Sequence, residues 1–184
     1  MSERNASPTK GPSIASGFSL IETMVVVAIL GIVTALAAPS FANAIRSHRT
    51  EGVARELLHT VELARAETAR TGQNAVIRRI EPCAAAARTR DWTCGWELFV
   101  DADGDRIRNN GEMLVLRRET PPNTLVVKNT AVNPETVVVL RQGHVESSTS
   151  LSITAAGASV PGSWRLCMSM TGRARLIKDA AACS

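Results

Sequence analysis

Near the end of this chain, Gly172-Arg173-Ala174-Arg175 places two arginines two residues apart behind a glycine. On a strand, a two-residue period puts Arg173 and Arg175 on one face. A planar guanidinium stays charged at any relevant pH and gives phosphate two hydrogen bonds. The chemistry this pair suits is therefore anion binding, not proton transfer. From Arg141 onward five basic side chains (Arg141, Arg165, Arg173, Arg175, Lys178) face two acids (Glu146, Asp179). That surplus of three equals the net charge of everything beyond residue 17.

Two other groupings could carry chemistry. Residues 101–112 offer side-chain oxygens at positions 1, 3, 5, 9 and 12 of a calcium loop (Asp101, Asp103, Asp105, Asn109, Glu112). Arg106 stands where that loop needs glycine, and both flanks read as strands, so the stretch is expected to be a hairpin turn. Cys83, Cys94, Cys167 and Cys183 permit three disulfide pairings. Loop length favours Cys83–Cys94 and Cys167–Cys183, each worth about 3 kcal/mol in the chain-entropy model. No Cys-x-x-Cys occurs and His48, His59 and His144 are scattered, so no metal site is expected. No serine or cysteine nucleophile has a histidine and an acid nearby, and no glycine-rich phosphate loop appears. Neither an enzyme nor a cofactor is expected.

The elements that position these groups begin with an apolar run over 18–38, interrupted by one charge, Glu22. Its length meets the roughly 20 residues a helix needs to span a bilayer. A carboxylate there costs up to about 2.5–3.5 kcal/mol and calls for a named partner. The nearest candidate is a free amine created by cleavage between Gly17 and Phe18. Arg4 and Lys10 before the run favour a cytoplasmic N-terminus, which puts the cysteines on the oxidising side of the membrane.

Beyond Pro39, helical spacing resumes with Ala54, Leu57, Leu58, Val61, Ala64 and Thr68, and Gly72 makes a suitable end. One long, Pro-kinked helix over 18–72 is expected, its first half long and apolar enough to span a membrane. Gly31 and Ala35 are spaced for close helix approach. After Gly72 the period becomes strand-like at 75–80, 95–100, 112–116, 125–127, 136–140, 151–154, 163–167 and 173–178, with 95–100 and 112–116 forming a hairpin. One helix followed only by strands is α+β: residues 1–17 a leader, 18–72 the helix, 73–184 a β-rich domain. Aromatic content is 3% with no tyrosine, so the core must rest on Val, Leu, Ile and Ala.

Gly17-Phe18-Ser19-Leu20-Ile21-Glu22 followed by the apolar run resembles the class III leader of type IV pilins and type II secretion pseudopilins. The resemblance implies cleavage after Gly17 by a prepilin peptidase and methylation of Phe18. It further implies pairing of Glu22 with a neighbouring subunit's N-terminal amine during filament assembly. Gly95-Trp96 with Phe99 and Asp101 before the acidic turn resembles the branch containing H-type pseudopilins and FimT/FimU-type minor pilins, and Gly172-Arg173-Ala174-Arg175 resembles the DNA-binding motif of the FimT type. The implied protein is a minor pilin, single-pass in the inner membrane with a periplasmic domain. Its partners would be other pilins or pseudopilins and DNA taken up in natural transformation. Gly172, Arg173 and Arg175 would carry the contact, with Arg165 and Lys178 as supporting charges. The alternative is a structural H-type pseudopilin, or a tip minor pilin that primes assembly without binding DNA.

Overall fold

The computed structural model describes residues 19–130, 132–156, 162–179, 182 and 183. The expected leader, with Gly17 and Phe18, lies outside them. One helix, α1 (Leu20–Thr71), precedes eight strands: β1 (Asn74–Arg79), β2 (Trp96–Asp101), β3 (Leu114–Arg118), β4 (Thr124–Lys128), β5 (Thr136–Val139), β6 (Thr149–Ala155), β7 (Trp164–Met168) and β8 (Ala174–Lys178). The class is α+β, as expected, and the backbone stays helical through residue 39.

The chain divides after Phe41 into two compact units. In the first, α1 begins on a cap: the Ser19 hydroxyl accepts the Glu22 backbone N–H at 3.2 Å, which satisfies one of the helix's free first-turn donors. Glu22 thus sits in the first turn, where the helix dipole favours an acid. The side chains that follow are apolar and exposed, among them Leu20, Ile21, Met24, Val27, Leu30 and Ile32. The segment is long and apolar enough to cross a membrane.

In the second unit the rest of α1 is amphipathic. Val53, Ala54, Leu57, Val61 and Ala64 are buried and repeat at three- and four-residue steps, the pattern of one helix face. Fully burying a leucine or valine is worth about 1.5–3 kcal/mol, so this half is held by packing. Thr60 is buried on the same stripe; its hydroxyl donates to the Glu56 carbonyl at 2.8 Å and accepts the Trp96 indole N–H at 3.0 Å. Earlier on the helix, the buried Thr50 hydroxyl donates to the Gly162 carbonyl at 2.9 Å.

Two antiparallel four-stranded sheets receive the helix, ordered β3-β2-β1-β5 and β4-β6-β7-β8. Ala75, Ile77, Trp96, Leu98, Val137 and Val139 of the first and Val126, Leu151, Ile153, Leu166 and Met168 of the second join the helical stripe in one core. Val76, Phe99 and Val138, on the opposite face of the first sheet, form a smaller cluster. Every core residue named here follows Ala42, so this unit buries its core from its own sequence. Lys128 also points inward, 1% exposed. Its ammonium donates to the carbonyls of Val132 (3.3 Å), Asn133 (2.6 Å) and Thr136 (2.5 Å), which closes the β4–β5 connection around it.

Candidate functional site

Strands β7 and β8 form a hairpin at one edge of the second sheet, with Cys167 opposite Arg175, Leu166 opposite Leu176, and Arg165 opposite Ile177. Residues directly opposed share a face, and successive residues alternate. Leu166 and Met168 face the core, so Arg165, Cys167, Arg173 and Arg175 share the outer face. Lys178, opposite Trp164, falls on the other side, where its charge helps Arg55 lower the pKa of Glu51.

The hairpin turns through Ser169-Met170-Thr171-Gly172. The Gly172 N–H donates to the Ser169 carbonyl and the Ser169 N–H to the Arg173 carbonyl, both at 3.0 Å. Gly172 is buried, with φ +82, and a Cβ built on it would lie 2.3 Å from the Gly143 carbonyl oxygen. The glycine of the motif therefore serves the backbone: only glycine permits both the left-handed turn and this approach. The N–H of Val145 donates to the Met170 carbonyl at 3.1 Å and completes the seam between the β5–β6 turn and the hairpin tip.

Arg173 and Arg175 are exposed and line an open groove of about 480 Å³ with the hydroxyls of Ser148, Ser169 and Thr171 and the Cys167–Cys183 bond. Neither guanidinium has an ion pair or hydrogen bond among the described residues. Most arginines elsewhere are engaged, as Arg55 is with Glu51 (2.6 Å) and Arg118 with Glu56 (2.7 Å). Arg165 is half-buried and donates to the Ser150 hydroxyl at 3.5 Å. The acid at the far end of β8, Asp179, accepts the Gly162 N–H at 2.9 Å, which holds its carboxyl below the usual carboxylate range.

The disulfides join Cys83 to Cys94 and Cys167 to Cys183, each with a Cα–Cα distance of 5.8 Å. These are the pairings that loop length favours. Because Cys167 opposes Arg175, the second bond draws the C-terminal segment onto the arginine-bearing face.

The acidic turn brings carboxylate oxygens of Asp101, Asp103 and Asp105 within 4.8 Å of one another. Asp101 accepts the N–H groups of Gly104 and Arg106 (2.8 and 3.3 Å), while the Asn109 amide donates to both Asp103 and Asp105 (2.9 Å each). Glu112 accepts from Ala102 and Asn109 (2.8 and 2.9 Å). The oxygens a cation would need thus hold the β2–β3 turn closed. Burial pushes the Asp101 carboxyl above its ordinary pKa.

Sequence reasoning did not place two further arginines near the tip: Arg65 it left out, and Arg141 it counted only in the basic surplus. Arg65 of α1 reaches the seam: its Nε would lie 3.5 Å from a Cβ on Gly172 and 3.8 Å from one on Gly143. Arg141 begins the adjoining turn, its backbone N–H donating to the Asn74 side-chain oxygen at 3.1 Å. More than 70 residues separate the two in sequence, and no local pattern links them.

A family model described as type II transport protein GspH matches residues 53–178, and the prokaryotic N-terminal methylation motif matches residues 13–38. Comparison with curated proteins finds no match. Among solved structures, the type IV minor pilin FimU of Pseudomonas aeruginosa superposes with a TM-score of 0.55 at 18% identity, over 71% of this chain and 89% of that one. The minor pseudopilin EpsH from the type 2 secretion system of Vibrio cholerae gives 0.50 at 18% identity, over 71% and 97%. GspH of E. coli gives 0.51 at 15% identity, over 74% and 94%. At these identities the likeness is one of fold. The family match spans the amphipathic half of α1 and all eight strands, and with the methylation motif ahead of it, this chain belongs to the GspH family.

Proposed function

We propose that this chain is a minor pilin, built into a type IV pilus, whose C-terminal hairpin binds duplex DNA without sequence preference during uptake. The observation that carries the reading is the pair Arg173 and Arg175, exposed on one face beside an open groove without a carboxylate partner among the described residues. The hydroxyls in that groove are further phosphate donors, and Arg165 lies on the same face. Lys178 adds long-range charge from the other side. Among the described residues no recognition helix or aromatic ladder accompanies them, so contacts are to backbone phosphate, and the dissociation constant falls in the non-specific range of about 10⁻⁴–10⁻⁶ M at physiological salt.

Assembly follows from the other end of the chain. A prepilin peptidase cuts after Gly17 and Phe18 is methylated. The apolar half of α1 anchors the protein once in the inner membrane with the β-rich unit in the periplasm. Glu22 then pairs with the N-terminal amine of a neighbouring pilin.

The test is a titration of the full chain in zwitterionic nanodiscs with labelled duplex at 50 and 200 mM salt, against an Arg173→Gln, Arg175→Gln double variant with unchanged circular dichroism. The expected result is weaker binding and a log–log salt slope flattened by about 0.9 per arginine. Equal affinity and slope in the two proteins would reduce the arginines to guards of an exposed strand edge, leaving a purely structural subunit of a pilus or a type II secretion pseudopilus.

A further inference from the structure

A second basic groove lies on the other side of the hairpin tip. It has a volume of about 410 Å³ and is lined by Arg65, Thr68, Arg141, Gln142, Gly143 and Glu62, among others. Arg65 and Arg141 are exposed, and neither is in an ion pair or side-chain hydrogen bond among the described residues. Its wall is the β5–β6 turn, whose Gly143 carbonyl abuts Gly172, and the Arg65 guanidinium stands beside that contact. Gly143 lines this groove and abuts Gly172, which in the chain lies between Thr171 and Arg173 of the first groove. Glu62 is the one acid among the described residues that line this second groove.

We propose that Arg65 and Arg141 form a second phosphate-binding groove that continues the Arg173–Arg175 groove across the hairpin tip, so that one duplex rests on both. This rests on the DNA-binding reading and extends it to residues outside the C-terminal motif. Neighbouring phosphates lie several ångströms apart along a strand, so two arginines on one strand face hold a short stretch of backbone. Cations on either side of a glycine ridge hold a longer one and set its direction over the domain. The contact between the two turns is made by glycines, so no side chain fills it, while Gln142 and Met170 stand exposed beside it.

The experiment uses the full chain in zwitterionic nanodiscs and a labelled duplex at 50 and 200 mM salt, with Arg65→Gln, Arg141→Gln, Glu62→Gln and Arg55→Gln each compared with the unaltered protein. Arg55, an exposed helix arginine paired with Glu51, carries the same charge change away from the grooves. A slope of about 0.9 per phosphate contact makes the affinity lost between the two salts about 3-fold smaller for each contact removed. That shrinkage is expected for Arg65→Gln and Arg141→Gln and not for Arg55→Gln, while Glu62→Gln tightens binding at low salt. If Arg65→Gln and Arg141→Gln behave as Arg55→Gln does while the Arg173→Gln, Arg175→Gln variant flattens the slope, the second groove is refuted and DNA binding at the motif stands. If the motif variant also leaves the slope unchanged, both fall together.

Discussion

Replacing Gly172 with alanine tests whether the motif's glycine is a backbone device. Gly104, in the acidic turn, supplies the control: its φ is +84 against +82 at Gly172, but a Cβ there meets nothing within 4 Å. Alanine in the left-handed region costs roughly 1–2 kcal/mol at either site, and that cost cancels in the comparison. At Gly172 the new methyl would also sit 2.3 Å from the Gly143 carbonyl oxygen, a separation no real contact reaches. The hairpin tip must back away from the β5–β6 turn, breaking the Val145–Met170 hydrogen bond, worth about 1 kcal/mol, and exposing the seam. Gly172→Ala should therefore cost about 2–4 kcal/mol and Gly104→Ala about 1–2 kcal/mol. Equilibrium urea unfolding with the disulfides intact measures both. Equal losses in the two variants would show that the seam contributes nothing and that conformation alone explains the glycine.

Two further outcomes follow from the other ends of the fold. Burial lowers the Lys128 pKa to about 8, below the unfolded value near 10.4, so above pH 8 the unfolded chain holds a proton the folded one has released and stability rises with pH. Lys128→Met takes the ammonium donor from three carbonyls, of which Asn133 still accepts the Thr136 N–H; it costs about 1–3 kcal/mol at pH 7 and lacks that rise, so its deficit should widen by about 1 kcal/mol per unit between pH 8 and 9.5, and a constant or narrowing gap in urea unfolding would count against the buried ammonium. Glu22→Ala should remain in the membrane fraction, with mature protein starting at Phe18 by intact mass, yet be missing from sheared filaments; normal recovery in filaments would remove the proposed pairing with a neighbour's amine.

Much of this fold was legible because its signals are local. The three- and four-residue steps of Ala54, Leu57, Val61 and Ala64 named the buried helical stripe, and each of the eight strands lies within about two residues of an expected segment. Pairing was not legible. Neither the β1–β5 contact nor the β4–β6 contact joins chain neighbours, and register between distant strands leaves no trace in a single segment. Lys128 illustrates the loss: Leu125-Val126-Val127 is apolar on both phases, so nothing announced that Thr124, Val126 and Lys128 share the inward face. The same gap hid the side on which Lys178 falls. Arg173 and Arg175 could be placed together because they share a strand; Arg65 and Arg141 are brought beside one groove only by the packing of α1 against the β5–β6 turn.

The Cys167–Cys183 bond matters most when the domain is pulled. Strand β8 is the last of its sheet and, among the described strands, is hydrogen-bonded only to β7, so tension applied at Arg173 or Arg175 bears on a single ladder that could peel bond by bond from the tip. The cystine sets a limit to that failure. It fastens Cys183, beyond β8, back to Cys167, the next-to-last residue of β7 and 16 residues away in sequence, so a peeled strand becomes a tethered loop no longer than about 55 Å of extended chain. A filament that drags a polymer would then find a slack leash on this subunit where an unbridged hairpin would unravel, and the ladder could zip closed again once the load passed.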